Sequence, residues 1–419
     1  MRLPGDFLLG TATAGTQIEG GRVPGSWHRW ADEGHIRDGS HPERANDHWR
    51  RVDTDVELLR ELGCHTHRMS VEWARIEPEE GRFDQSAIAH YRHELVRLRE
   101  AGIVPLVTLH HFANPLWLED DGGWLDRRVI ARFERYVRHV VAELCDLVSD
   151  WVTINEPNVY LLEGYVLGEW PPGRRSVVAY LRGARQMIRS HLAAYRAIHE
   201  IGRACGVRMR VGVAHHLRVF DPAHPVLAPA IARVLDRLVH TIFLDGMTAG
   251  RLRFPLAGRL PEAEGPGPWS DFLGVNYYTR DAIRLSLHPR RAFARLDVAR
   301  GAPVNDLGWE IYPAGLARLV RPLAERYALP VWITENGTCD GRDAFRSDFI
   351  RSHLREVAEL VSRGVPIERY YHWSLIDNFE WLEGESARFG LVACDYPTQR
   401  RRVRDSGRLY ASICRSRLV

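Results

Sequence analysis

Val331-Trp332-Ile333-Thr334-Glu335-Asn336-Gly337 runs four residues of strand preference straight into a carboxylate, and its Asn-Gly pair then turns the chain. Glu335 thus stands at the C-terminal lip of a buried strand, where an acid has no packing reason to be. Trp151-Val152-Thr153-Ile154-Asn155-Glu156-Pro157 repeats the pattern far upstream. Two strand-end glutamates distant in sequence point to a two-carboxylate site, if their strands belong to one sheet.

The rest of the chain supplies that sheet. Strand-like apolar runs fall at 7–12, 66–71, 104–110, 151–155, 210–214, 271–276, 331–334 and 368–373. Amphipathic helical segments lie between them, among them 53–62, 84–101, 128–147, 177–201, 228–249, 313–327 and 345–362, with a last one at 406–416. The run 104–110 is nearly all apolar, as expected of a strand buried on both faces. Eight strands alternating with helices predict an α/β fold, a (β/α)8 TIM barrel. The 419 residues suit one large barrel, and no linker, low-complexity tract or short repeat divides them. A single catalytic domain over 1–419 is therefore expected.

Composition excludes several function classes. A 45% hydrophobic, 26% charged chain is ordinary for a globular protein, and a formal net charge of +3 gives no reason to expect nucleic acid. Arg400-Arg401-Arg402-Val403-Arg404 reads as a solvated surface run. No window approaches about 18 uninterrupted apolar residues, so no membrane span is expected, and the first residues lack the pattern of a secretory leader. Cys64, Cys145, Cys205, Cys339, Cys394 and Cys414 are widely spaced without a C-x-x-C pair, and read as free, mostly buried thiols. A reducing, cytoplasmic location follows as the expectation.

In such a barrel the site is built on the C-terminal strand ends. Gln17 and Glu19 follow the first strand, Arg68 ends the second, and His110-His111 end the third. Asn155-Glu156 end the fourth, Asn276-Tyr277-Tyr278 the sixth and Glu335 the seventh. Trp373, Asp377, Glu380 and Trp381 follow the eighth. Carboxylates and amides form paired hydrogen bonds to adjacent hydroxyls, tryptophans stack on a pyranose face, and two further carboxylates suffice for glycosidic cleavage. Metal ligation fits poorly, because the adjacent histidines of His110-His111 and His215-His216 point to opposite faces of a strand. No metal or other cofactor is expected. Read singly, Arg68 has a buried ion-pair role as its lesser reading, whereas Trp373 and Trp381 read first as core and His111 as a satisfied core histidine.

Taken together the motifs resemble glycoside hydrolase family 1, the retaining β-glucosidase and β-galactosidase family, over essentially the whole chain. The matches run in family order. They begin with Phe7-Leu8-Leu9-Gly10-Thr11-Ala12-Thr13 through Gln17-Ile18-Glu19-Gly20, Arg68-Met69-Ser70-Val71-Glu72-Trp73 and Thr108-Leu109-His110-His111-Phe112. Thr153-Ile154-Asn155-Glu156-Pro157-Asn158, Asp271-Phe272-Leu273-Gly274-Val275-Asn276-Tyr277-Tyr278 and Ile333-Thr334-Glu335-Asn336-Gly337 follow. Trp373-Ser374-Leu375-Ile376-Asp377-Asn378-Phe379-Glu380-Trp381 closes the set, with Arg388-Phe389-Gly390-Leu391-Val392 behind it.

The resemblance implies roles. Glu156 would be the acid/base and Glu335 the nucleophile. Asn155 would bind the sugar 2-hydroxyl. Gln17, His111, Glu380 and Trp381 would hold the far hydroxyls, and Trp373 would stack beneath the ring. Arg68, Asn276 and Tyr278 would surround the nucleophile, and Trp309 would be an aglycone-side platform. Phe112 stands where many members have tryptophan, Met69 where phenylalanine is usual, and Glu385 where an aromatic is common. Shortened loops around 168–173 and 253–268 are similar to those of short archaeal-type members. The implied partner is a small-molecule β-glycoside, unphosphorylated because Glu380 is present. The implied activity is that of a retaining β-glycosidase, a β-glucosidase with β-galactosidase or β-fucosidase side activity. A transglycosylase on the same site and a catalytically silent carbohydrate-binding barrel are the alternatives. Retention expects carboxyl groups about 5–5.5 Å apart, with Glu335 ionised beside Arg68 and Glu156 raised by burial.

Overall fold

The computed structural model of the chain describes residues 1–224, 226–265, 267–285 and 294–419. Its first nine strands are β1 (Leu8–Ala12), β2 (Thr66–Ser70), β3 (Val104–His110), β4 (Asp150–Asn155), β5 (Arg210–Pro222), β6 (Phe272–Leu285), β7 (Ala294–Asp297), β8 (Val331–Asn336) and β9 (Ile367–Trp373). All but β7 pair in parallel. The order runs β5-β4-β3-β2-β1-β9-β8-β6, and a β5–β6 ladder closes the ring. This is the (β/α)8 barrel that the alternation of strands and helices predicts.

Each predicted strand overlaps a barrel strand. Local chemistry accounts for the helix ends: Asp84 caps Gln85–Glu100 by accepting from the backbone N–H groups of Ser86 and Ala87. Gly102, at φ 74°, takes the left-handed turn that ends this segment. Inside the barrel, Phe272 stacks on Trp332 at 3.7 Å, and Arg369 lies over Trp332 at 3.8 Å while pairing with buried Asp150 at 2.7 Å. This plug fills the lower barrel, and the polar residues gather above it.

Three features depart from expectation. β5 and β6 continue well past 214 and 276, paired from Gly212↔Phe272 to Pro222↔Ile283, with β7 added antiparallel to β6. The arginine run is not a free surface stretch. Arg400–Val403 forms strand β11, antiparallel to β10 (Val392–Asp395), and two side chains of the run, one on β11 and one just after it, point inward. Arg401 pairs with buried Asp55, and Arg404 reaches both carboxylate oxygens of Asp377 at 2.8 Å. Finally, Cys145 and Cys205 form a disulfide across a separation of 60 residues, joining the ends of helices Val129–Leu144 and Val177–Cys205. The expectation of free thiols is corrected for that pair; Cys64, Cys339, Cys394 and Cys414 are free and buried. Among the described residues, no helix is long and apolar enough to cross a membrane.

Candidate active site

Both strand-end glutamates sit where the regular ladder breaks. The β6–β8 register slips between Val275 and Asn276, which pairs with Glu335, and the β8–β9 register slips between Ile333 and Asn336. The β4–β5 register slips between Val152 and Asn155. Such irregularities re-aim side chains at the rim of a barrel. Glu156 itself lies in the left-handed region at φ 40°, a conformation costing a non-glycine residue about 1–3 kcal/mol. Its side chain does not cap the short helix Pro157–Leu161 that follows, so the carboxyl is left for the barrel mouth.

Glu335 is 3% exposed and held at both oxygens. Arg68 Nη1 donates to Oε1 at 2.5 Å, and the Tyr278 hydroxyl donates to Oε2 at 2.6 Å. The same guanidinium donates through Nε to Thr108 and through Nη2 to Asn155 Oδ1 at 2.6 Å. Asn276, oriented by the Thr334 hydroxyl, donates through Nδ2 to Glu156 Oε1 at 2.7 Å and to Asn155 Oδ1 at 3.1 Å. One continuous network therefore spans both carboxyls.

A second group lines the opposite wall. Trp373 Nε1 donates to Glu380 Oε1 at 3.0 Å, and Gln17 Nε2 lies 3.3 Å from Oε2. His111 is stacked near Trp373 and Trp381, with ring centroids 6.0 and 5.9 Å away. Asn155 Oδ1 already accepts from Arg68 and Asn276, so its Nδ2 donates to His111 Nε2 at 3.1 Å, and the ring's proton belongs on Nδ1. Two buried atoms here have no partner among the described residues: His111 Nδ1, a donor, and Gln17 Oε1, an acceptor. A donor and an acceptor left open beside a carboxylate match what vicinal hydroxyls require.

Electrostatics tie the two glutamates together. Burial, with the Glu156 charge adding to it, pushes Glu335 up to about 7 against the opposing pull of Arg68 and Tyr278. Burial also acts to raise Glu156, but His216, Asn276 and Arg68 outweigh it and hold the carboxyl below its ordinary value. The residues alone predict the reverse order, and the difference turns on a charged His216, which would be the main influence lowering Glu156. Arg218 Nε donates to His216 Nε2 at 3.3 Å, which makes that nitrogen an acceptor and places the ring's proton on Nδ1, 3.3 Å from Glu156 Oε1. A neutral ring supplies a hydrogen bond and no charge. Arg68 cannot lose its own charge, so the proton shared by the pair then rests on Glu156 and the negative charge on Glu335.

The predicted site residues mostly converge. Trp309 packs edge-on against Tyr278 at 5.8 Å, at the mouth. Trp381 meets Trp27, Phe112 and Trp170. Four strand-end groups go elsewhere: Glu19 pairs with Arg75, His110 turns to Asn114, Tyr277 donates to the Tyr312 carbonyl, and Asp377 pairs with Arg404. Glu385 is buried against Arg44. Sequence reasoning missed His216, which it weighed only as half of a metal pair. Among the described residues no cluster of three His, Cys, Asp or Glu is placed to hold a metal ion.

A closed (β/α)8 barrel with two networked glutamates at its C-terminal rim, facing an aromatic wall with open hydroxyl-matching groups, has the architecture of a glycoside hydrolase. Comparison with known proteins gives the particular family. The model for glycosyl hydrolase family 1 matches residues 1–259 and 267–418. Beta-glucosidase A of Thermotoga maritima is 32% identical over 99% of this chain and 98% of its own. A beta-glucosidase of an Agrobacterium species is 35% identical, covering 98% and 95%. The solved structure of a beta-glycosidase from Pyrococcus horikoshii superposes with a TM-score of 0.90 at 35% identity, over 99% of this chain and 95% of that one. The chain belongs to glycosyl hydrolase family 1.

Proposed function

We propose that the chain is a retaining β-glucosidase acting on unphosphorylated β-glycosides, with Glu335 as nucleophile and Glu156 as acid/base. The observation that carries this reading is the division of partners between the two carboxyls. Glu335 takes a cation and a phenol on its two oxygens, and both favour its anion. Glu156 takes an amide and an imidazole on Oε1, which leaves Oε2 to carry a proton toward a leaving group.

In the first half of the reaction, Glu335 attacks the anomeric carbon while Glu156 protonates the departing oxygen. The glycosyl ester removes the charge on Glu335, so Glu156 can stay ionised and accept a proton from water in the second half. His111 Nδ1–H, Gln17 Oε1, Glu380, Trp381 and Asn155 would hold ring hydroxyls. Trp373 would lie beneath the ring and Trp309 beside the aglycone. Relatives named beta-glucosidase support glucose as the glycone. We assign all 419 residues to one catalytic domain and its location to the cytoplasm. Four buried free thiols favour that location and the Cys145–Cys205 disulfide favours an oxidising one; assaying the activity in separated cell fractions tests it.

The deciding experiment follows nitrophenyl β-glucoside hydrolysis by proton NMR. β-Glucose should appear first and mutarotate later; α-glucose as first product would remove the retaining assignment. A panel of β-glucosides, β-galactosides and β-fucosides then ranks the glycones.

A further inference from the structure

β5 continues past the barrel rim, and its extra length brings a side-chain chain up behind Glu156. His216 is 7% exposed and enclosed on several sides. Its Nδ1 is 3.3 Å from Glu156 Oε1, its ring is stacked near Tyr278 (centroids 6.0 Å, planes 19° apart), and its carbonyl accepts from Asn158 Nδ2 at 2.8 Å. Arg218 lies two residues on, on the same side of the strand, where the β5–β6 register slips between Leu217 and Val219. Arg218 Nε donates to His216 Nε2, and its Nη1 donates to Asp281 Oδ2 on the extended part of β6 at 2.8 Å. Two adjacent strands, each longer than a barrel needs, thus hold one imidazole in one tautomer against one carboxyl.

We propose that His216, fixed by Arg218 and Asp281, is a positioning residue that holds Glu156 as the base of the second half-reaction. This rests on the assignment of Glu156 and Glu335 made above. In that step the water oxygen bonds to the anomeric carbon, and the bond from that carbon to Glu335 breaks with its electron pair passing to the carboxylate. The water's proton goes to Glu156. A donor aimed at Oε1 stabilises the anion that must receive this proton and keeps Oε2 turned toward the water. The same bond makes Glu156 release its proton more readily, so it limits how far into alkali the acid form survives. The ionisable groups facing Glu156 are Glu335 from β8, Arg68 from β2, Tyr278 from β6 and His216 from β5. Behind His216 stand Arg218, Asp281 and His240, whose Nε2 accepts from the Arg218 backbone N–H at 3.4 Å. Of these, His216 is the one whose side chain is hydrogen-bonded to Glu156 among the described residues.

Dinitrophenyl β-glucoside isolates the step, because its leaving group departs without protonation and turnover then reports deglycosylation. His216→Phe keeps a flat ring beside Tyr278 and removes the donor. Its kcat on this substrate should fall about tenfold or more, as expected when a positioned base loses its orienting partner. On a poorer leaving group, the alkaline limb of its kcat/KM profile should move up by about one pH unit. His216→Asn, whose amide nitrogen reaches where Nδ1 sits, should restore both. Arg218→Met should shift the limb in the same direction by less. A wild type that turns over while both limb and dinitrophenyl kcat stay put in His216→Phe overturns the inference. So does a loss in which His216→Asn and Arg218→Met fall alike and no limb moves, the signature of a purely structural role. A wild type without turnover sinks the glycosidase reading itself, and the inference with it.

Discussion

Arg68 joins more of the site than any other residue, reaching Thr108, Asn155, Glu335 and the Thr334 carbonyl with one planar fork. A lysine carries the same charge but cannot serve four acceptors from fixed directions. Arg68→Lys should therefore lower kcat/KM by about a hundredfold, and the acid limb of the profile should rise because Glu335 loses the aligned charge-assisted hydrogen bond on Oε1 that favours its anion. Unchanged kinetics would show that charge alone suffices. The two glutamates separate by leaving group. Glu335→Gln should cost more than about a thousandfold on every glycoside, since no nucleophile remains. Glu156→Gln should cost about 10²–10⁴-fold on alkyl glucosides, whereas glycosylation by dinitrophenyl glucoside should be far less affected. Azide, needing no base, should restore turnover of the Glu156 variant with a β-glucosyl azide as product. Equal losses on both leaving groups would contradict the assigned roles.

At the scale of elements, the barrel strands were legible because burial on both faces leaves an apolar run, and polar residues at its end stand out. Glu335 and Glu156 were visible for that reason. What was hidden depends on partners distant in sequence. Arg401 and Arg404 look solvated in a run of arginines, but the β10–β11 hairpin carries them onto Asp55 and Asp377, and no local pattern announces a carboxylate 346 residues away. The disulfide was hidden in the same way, by two helix ends that meet only in the fold. His216 was closer to legible. A histidine at a strand end with an arginine at i+2 shares one face, and that spacing alone could have marked the pair. The hairpin gives a stability prediction. Arg404 donates to both oxygens of Asp377, which also accepts from the backbone N–H of Gly390, all of it buried. Removing Arg404 leaves Asp377 with Arg388, 3.4 Å from Oδ2, as its remaining cation, so Arg404→Met should lower unfolding free energy by about 3 kcal/mol in urea melts, the low end for a broken buried pair. Replacing Arg400, which is exposed at the start of β11, should change it by less than about 0.5 kcal/mol. Similar midpoints for the two variants would mean that the run is a surface feature after all.

For the whole molecule, buried ionisable groups set the pH range of the fold, and they act in two opposing sets. Stability rises with pH wherever the unfolded chain binds more protons than the folded one. Burial holds His28, His67, His110, His191 and His353 down to about 4 and His215 to about 3. The unfolded chain protonates these rings near 6.5, so their contribution is complete above that value and is lost as pH falls toward 4. The carboxyls act in the other direction. Burial pushes Glu72 and Glu380 up to about 8, and Glu163 up to about 7. The fold keeps protons that the unfolded chain releases near 4.5, so this contribution is full below 4.5 and is lost as pH climbs to 8. His48, lifted to about 10 by Glu94 and Asp55 in spite of its burial, likewise loses its contribution above 6.5. Between 4.5 and 6.5 the two sets oppose one another, and above 6.5 only the losses remain. A tenfold difference in proton affinity between folded and unfolded chain is worth about 1.4 kcal/mol, so several groups moving together are large against a typical folding free energy. The melting temperature should peak near pH 6 and fall on both sides. Substituting Glu72 by Gln, which removes one such loss while the amide oxygen still accepts from Thr16, should flatten the decline between pH 7 and 8 and steepen the rise between 4.5 and 6.5, where that loss no longer offsets the histidines. Calorimetry from pH 4 to 9 measures both limbs; a melting temperature still rising from pH 7 to 9 would show that the buried carboxyls do not set the alkaline limit.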